Sequence, residues 1–216
     1  MQLLDRYQQA IGDLLYKVRT TQREKIEKCA DIFMETILGG GKIYLSGICH
    51  SMEMDIIRRG GGPVFYKKYE KDVTELKKGD IVVVSSVSGR TKPVVDFAYD
   101  CVQKGIKVIA FTSMEYAVQV DPVHESGKKL YEFATFTLDN CAPAAEAMLD
   151  VDGIEAKFGA ASGIASDFIM WSVTASLVEK MLKAGYTPGI LKSANYADGM
   201  QYNKEIIDVH YEKHGY

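Results

Sequence analysis

Apolar residues early in the chain recur every three or four positions, whereas from residue 42 onward they come as short unbroken runs separated by helix-like stretches. The first spacing marks a helix with one face toward a core, and the second marks strands covered on both faces. Leu4, Tyr7, Ile11, Leu14, Leu15 and Val18 form one stripe and predict a helix over residues 3–19. Thr21-Gln22-Arg23-Glu24 fits a capping box ahead of a second helix bearing Ile26, Cys29, Ala30, Phe33 and Ile37, which Gly39-Gly40-Gly41 ends.

Beyond that point strands and helices alternate. Strands are expected at 42–46, 64–66, 81–85, 107–111 and, from its Phe/Thr-rich alternation, 130–138. Helices are expected at 52–59, 91–104 and 114–120, and a long one runs from about Gly163 to Lys183 with Ile164, Phe168, Trp171, Ala175, Val178 and Leu182 as its core face. A loop at 193–199 precedes a last, polar helix. No repeat or low-complexity linker interrupts the pattern. It reads as one domain over 1–216, with N-terminal helices (1–38), a sheet-and-helix core (42–183) and a C-terminal loop and helix (184–216). Alternation of this kind implies an α/β fold with a parallel sheet covered on both faces. Ligands of such sheets bind beyond the carboxyl ends of the strands.

Two loops fall at that edge. One is Gly47–Ser51. The other, Ser85-Ser86-Val87-Ser88-Gly89-Arg90-Thr91, links the apolar run Ile81–Val84 to a helix opened by Pro93. Unpaired N–H groups and the dipole of a helix N-terminus attract anions there, and hydroxyls add donors without adding charge. The plain alternative is a polar strand-to-helix turn with Thr91 as cap.

Composition narrows the classes. The 216 residues suffice for a large single core, and 47% hydrophobic with 25% charged residues is ordinary for a globular protein. A formal net charge of −3 with no basic cluster disfavours nucleic acid, and no apolar run is long enough to span a membrane. The N-terminus lacks the layout of a signal peptide, so a cytoplasmic location is expected. Cys29, Cys101 and Cys141 sit among apolar neighbours and read as reduced core residues; Cys49 lies in the first loop beside His50.

The stretch Ser86-Val87-Ser88-Gly89-Arg90-Thr91 after an apolar strand resembles the phosphosugar-binding motif of sugar isomerase (SIS) domains. The order of elements agrees from roughly Tyr7 to Glu205. Further matching segments are Thr21-Gln22, Gly47 with His50-Ser51, Asp139-Asn140, and Ser193-Ala194-Asn195 with Asn203. The resemblance implies a three-layer α-β-α sandwich around a five-stranded parallel, flavodoxin-like sheet. It also implies a homodimer or homotetramer with the site between subunits, no metal and no organic cofactor. By position, Ser86, Ser88 and Thr91 would hold the phosphate of a sugar phosphate, with Ser85, Gly89 and the backbone N–H groups assisting, and Ser51 and its loop closing over the sugar.

Moving a proton between the two carbons of an aldose or ketose phosphate needs a base, a group that opens the ring and donors for an enediolate. Glu53 is the candidate base, and His50 is the candidate group for opening the ring or polarising the carbonyl, its plain alternative being a loop imidazole bonded to a backbone carbonyl. Glu53 would equally suit the first turn of a helix through the dipole alone. Asp55 reads as a salt-bridge group near Arg58 and Arg59, His124 as an exposed loop histidine, and Glu146 as a residue that caps or orients a helix. Ser162 reads as an N-cap, and Asn195 and Asn203 either bind sugar hydroxyls or fix the tail. The four histidines show no metal-ligand spacing. A sugar-phosphate isomerase is the leading expectation. A sugar-phosphate sensor without turnover, or a lyase or deglycase acting on an amino-sugar phosphate, are the alternatives.

Overall fold

A computed structural model describes residues 2–47 and 52–216. Five strands form one parallel sheet: β1 (Ile43–Ser46), β2 (Tyr66–Tyr69), β3 (Ile81–Ser85), β4 (Lys107–Thr112) and β5 (Phe136–Asp139). Their order is β2-β1-β3-β4-β5, every neighbouring pair parallel. The chain runs from β1 outward to β2 and then crosses back to β3, so the order reverses between β1 and β3, the place where sheets of this kind take their ligands.

Alternation along the strands sends side chains to two cores. Ile43, Leu45, Ile81, Val83, Ile109, Phe111 and Leu138 face α1 (Leu3–Thr21), α2 (Arg23–Leu38), α3 (Met52–Ile56) and the long α7 (Ser162–Lys183). Tyr44, Val82, Val84, Val108 and Ala110 face α4 (Lys92–Gln103) and α6 (Leu130–Phe133), and the short α5 (Met114–Ala117) follows β4. The result is the expected three-layer α/β sandwich with helices at its N-terminus.

Several expectations change in the three-dimensional structure. The capping box at Thr21 does not form: Thr21 ends α1, its hydroxyl bonded to the Lys17 carbonyl, and Gln22 at the start of α2 makes no side-chain cap. The Gln22 side chain instead accepts from the Asp139 N–H at 3.2 Å. Of the α1 stripe only Leu14 and Val18 are buried. Strand β2 begins two residues later than expected, because Val64 N–H donates to Gly189 and Leu191 N–H to Gly62, giving this segment to the tail. Residues 130–138 are not one strand. Leu130–Phe133 is a helical turn that caps on Lys129, whose N–H donates to Glu132, and only Phe136–Asp139 joins the sheet.

The core face of α7 is also turned by about one residue. Ala165, Ile169, Met170, Val173, Leu177 and Met181 are buried, while Ile164 and Leu182 are exposed. Apolar residues occur on more than one side of this helix and Ser166 and Thr174 share its buried face, so spacing alone does not select that face. An antiparallel hairpin of β6 (Ala147–Val151) and β7 (Ile154–Ala160) turns at Asp152-Gly153 and lies on α1, with the Tyr7 and Phe158 rings 6.3 Å apart. Gly153 has φ 82°, as a tight turn requires. The tail forms α8 (Gly199–Glu205), which widens into a π-helix over Ile206–Tyr211.

Candidate functional site

The loop after β3 leaves the sheet next to the switch in strand order. Ser85 follows Ile81 and Val83 on the face that α3 and α7 cover, and it is buried. Ser86 is buried and its Oγ accepts from the Gly89 N–H at 3.2 Å; the half-buried Ser88 Oγ lies 3.5 Å from the Arg90 N. Each hydroxyl keeps its own O–H to donate. Gly89 has φ 61°, and a Cβ there would meet the Leu130 Cβ at 3.3 Å and Thr112 Oγ1 at 3.4 Å. The outer side of the turn is tied down: Val87 C=O accepts from Thr112 Oγ1 and Ser113 N–H, and Gly89 C=O accepts from Leu130 N–H. Thr91 sits at the N-cap of α4 with its hydroxyl making no cap bond, and its carbonyl accepts from Val94 and Val95. The plain turn-and-cap reading therefore holds for the position of Thr91 and not for its side chain.

Glu53, in the first turn of α3, directs its side chain toward the exit of the neighbouring strand β1. Its side chain is only 12% exposed, its Oε1 pairs with Lys68 Nζ at 3.2 Å, and its Oε2 lies against Gly47 at the end of β1. Lys68 reaches it because the parallel register sets Lys68 beside Leu45. Asp55 pairs with Arg59, as expected, and accepts from Trp171 Nε1 at 3.1 Å. His50, Ser51 and Cys49 lie outside the described residues, so of the first loop Gly47 alone is described. The structure thus gathers Ser85, Ser86, Ser88, Gly89 and Thr91 on one turn and sets Glu53 at the end of the adjacent strand.

His124 corrects its expectation: it is buried. Its Nδ1 accepts from Ser126 N–H at 3.1 Å, so Nε2–H donates to Asp96 Oδ1 at 3.0 Å. Asp96 lies in the second turn of α4, and the bonded Lys92 ammonium, with His124 adding to it, holds its carboxyl below the usual range. Lys92 also lies 3.2 Å from Glu125. Asp96, His124 and Glu125 bring potential metal ligands together, but the Lys92 ammonium already bridges the two carboxylates where a cation would sit. The dyad braces α4 against the 121–127 loop.

Other candidates resolve into structure. Asn203 fixes the tail through both the N–H and the C=O of Lys192, each at 2.8 Å. Ala161 rather than Ser162 caps α7; Ser162 donates to Glu146, which thereby orients the helix start. Burial pushes the Cys29 thiol well up and the Cys101 thiol up to about 11, as suits reduced core cysteines. Sequence reasoning missed the Lys68 partner of Glu53, which only strand register supplies. It also missed Asp96, although its spacing of four from Lys92 was a legible helix pair.

Comparison with known proteins agrees with this architecture. The chain is 28% identical to a UPF0309 protein of Shouchella clausii, over 97% of both chains, and 29% identical to one of Listeria monocytogenes, over 91% and 92%. Among solved structures, the Vibrio vulnificus NanR protein complexed with ManNAc-6P superposes with a TM-score of 0.58 at 17% identity, covering 96% of this chain and 69% of that one. The c3406 protein of Escherichia coli CFT073, solved as a ligand complex, gives 0.53 at 16% identity, covering 84% and 90%. These likenesses show the fold. The SIS domain model matches residues 6–68 and 63–113, which hold the N-terminal helices, the first loop and the serine-rich turn, and the chain belongs to the SIS domain family.

Proposed function

We propose that this protein binds a sugar phosphate at the Ser85–Thr91 turn and interconverts its aldose and ketose forms. The observation that carries the reading is the juxtaposition of a hydroxyl-rich turn and a nearly buried carboxylate at the ends of adjacent strands, on either side of the switch in strand order. Ser86, Ser88 and Thr91 hydroxyls and the amides opening α4 receive the phosphate, with Ser85 and Gly89 shaping the floor. Hydroxyl and amide donors hold a dianion without a permanent counter-charge, which leaves the product free to depart. Glu53 removes the proton from the carbon beside the carbonyl and returns it to the neighbouring carbon, with His50 assisting ring opening. A homo-oligomer completes the pocket walls.

A second reading has its own support. The Glu53 carboxylate is already paired with Lys68, an arrangement that serves a structural role as well as a catalytic one. In that case the protein senses a sugar phosphate without turning it over. A lyase or deglycase acting on an amino-sugar phosphate would begin with the same proton removal and differ in its products.

A thermal-shift panel of sugars with and without phosphate tests the binding step, since a ligand of the native state raises its apparent stability. Phosphorylated sugars raise the midpoint, plain sugars do not, and the Ser86→Ala/Ser88→Ala double variant loses the response. On the best ligand, Glu53→Gln keeps the shift and loses turnover on the order of 10²–10⁴-fold. Binding without turnover in the wild type selects the sensor, and equal response to both kinds of sugar ends the proposal.

A further inference from the structure

A second concavity lies away from the serine-rich turn, at the free edge of β2 beneath the C-terminal segment. Lys42, Arg58 and Lys67 surround it, and its volume of about 470 Å³ is that of a small-ligand pocket. Val64, Leu191, Ile207 and Tyr211 supply apolar and aromatic wall, while no residue of the Ser85–Thr91 turn lines it, nor does Glu53.

The charge arrangement is incomplete. Among the described residues, no carboxylate oxygen comes within 4.0 Å of the charged groups of Lys42, Arg58 or Lys67, although other lysines and arginines of this chain are paired. Lys67 Nζ instead lies 3.5 Å from the centre of the Tyr211 ring. Burial first, then Lys42 and Arg58, push the Lys67 ammonium down to about 8; Glu212 on the tail acts in the opposite direction and does not offset them. Glu70 also lines the concavity. Lys68 lines it too, but is committed to Glu53.

The backbone around the concavity is built with care. Arg58 is held at φ 56°, a conformation that side-chain-bearing residues avoid and that recurs at ligand clamps. The tail forms the other wall by close approach: a Cβ on Gly189 would meet Ile206 Cγ2 at 2.7 Å and Val64 Cγ2 at 2.9 Å. The π-helical turn that carries Ile207 and Tyr211 is a rare geometry that clusters at functional sites.

We propose that this concavity is a second ligand site, taking a small, multiply charged anion of the phosphate-ester class. A guanidinium and two ammonium groups around one hollow satisfy such an anion, and the apolar wall accommodates its organic part. The assignment stands independently of the reading given to the serine-rich turn.

Isothermal titration of inorganic pyrophosphate into the full chain carrying Ser86→Ala/Ser88→Ala isolates this site from the turn. Saturable one-to-one binding is expected in that background. Adding Lys67→Met or Arg58→Asn (asparagine tolerates the left-handed backbone) weakens it by about tenfold or more, with far-UV circular dichroism and urea midpoint confirming the fold. Absence of saturable binding in the serine double variant overturns the proposal, as does undiminished binding in both folded charge variants. A result in which pyrophosphate binds only when the serines are intact overturns this site and leaves the turn as the anion site. Binding here with no phosphosugar response at the turn does the reverse.

Discussion

Gly89 shows how much one residue carries in the serine-rich turn. Its φ of 61° costs a residue with a side chain roughly 1–2 kcal/mol, and the Leu130 Cβ and Thr112 Oγ1 stand where a methyl group would go. Gly89→Ala is therefore expected to lower stability by about 1–3 kcal/mol in urea unfolding and to weaken the phosphosugar response, since the Gly89 N–H positions the Ser86 hydroxyl. A wild-type midpoint for Gly89→Ala would mean the turn is not built this way. The identity and position of these residues were legible in the chain, because a strand, a hydroxyl run and a helix start stand next to one another. The partners of Glu53 and His124 were not. Lys68 reaches Glu53 through strand register, and Asp96 reaches His124 through the packing of a loop on α4.

The elements divide along the same line. Strand β3 matches its expected span, and helix α4 does so to within one residue at each end, because each pairs a clean apolar pattern with a local stop: the hydroxyl turn for β3, and Lys104-Gly105 with Gly105 at φ 71° for α4. Helix α7 had a readable length and an unreadable orientation. Its packing makes a direct prediction: Ile169→Ala, at a fully buried position, destabilises by about 2–5 kcal/mol, whereas Leu182→Ala, 53% exposed, stays within about 0.5 kcal/mol. Urea midpoints of the two variants check it, and similar losses in both would restore the face expected from spacing. The Asp152-Gly153 turn signal was present in the sequence, but the strands flanking it are largely solvent-facing and lack the apolar runs that identified the others.

Across the whole molecule, the cluster around Lys67 ties stability to pH. Its pKa of about 8 lies below the ordinary 10.5, so between those values the unfolded chain binds more protons than the folded one. Stability from this group is thus fully present above about pH 10.5 and is lost as pH falls through about 8. Lys67→Met removes the crowded charge. Relative to wild type it is expected to gain stability near neutral pH, and the gain shrinks as the pH is raised through that window. Urea midpoints of both proteins across the window measure the difference, and a gap that does not change with pH would show that Lys67 titrates normally. Anion binding at the concavity would diminish the same gap by supplying the missing counter-charge.

Local order along the chain sufficed for the layer architecture, the parallel sheet and the serine-rich turn, because strand burial, helix periodicity and turn chemistry act between residues close in sequence. Which face of α7 is buried, where β2 begins, what holds Glu53 and how three cations come to share one hollow were decided by tertiary packing. Each of these depends on groups distant in the chain meeting through sheet register and the folding back of the tail, and no spacing rule encodes such a meeting.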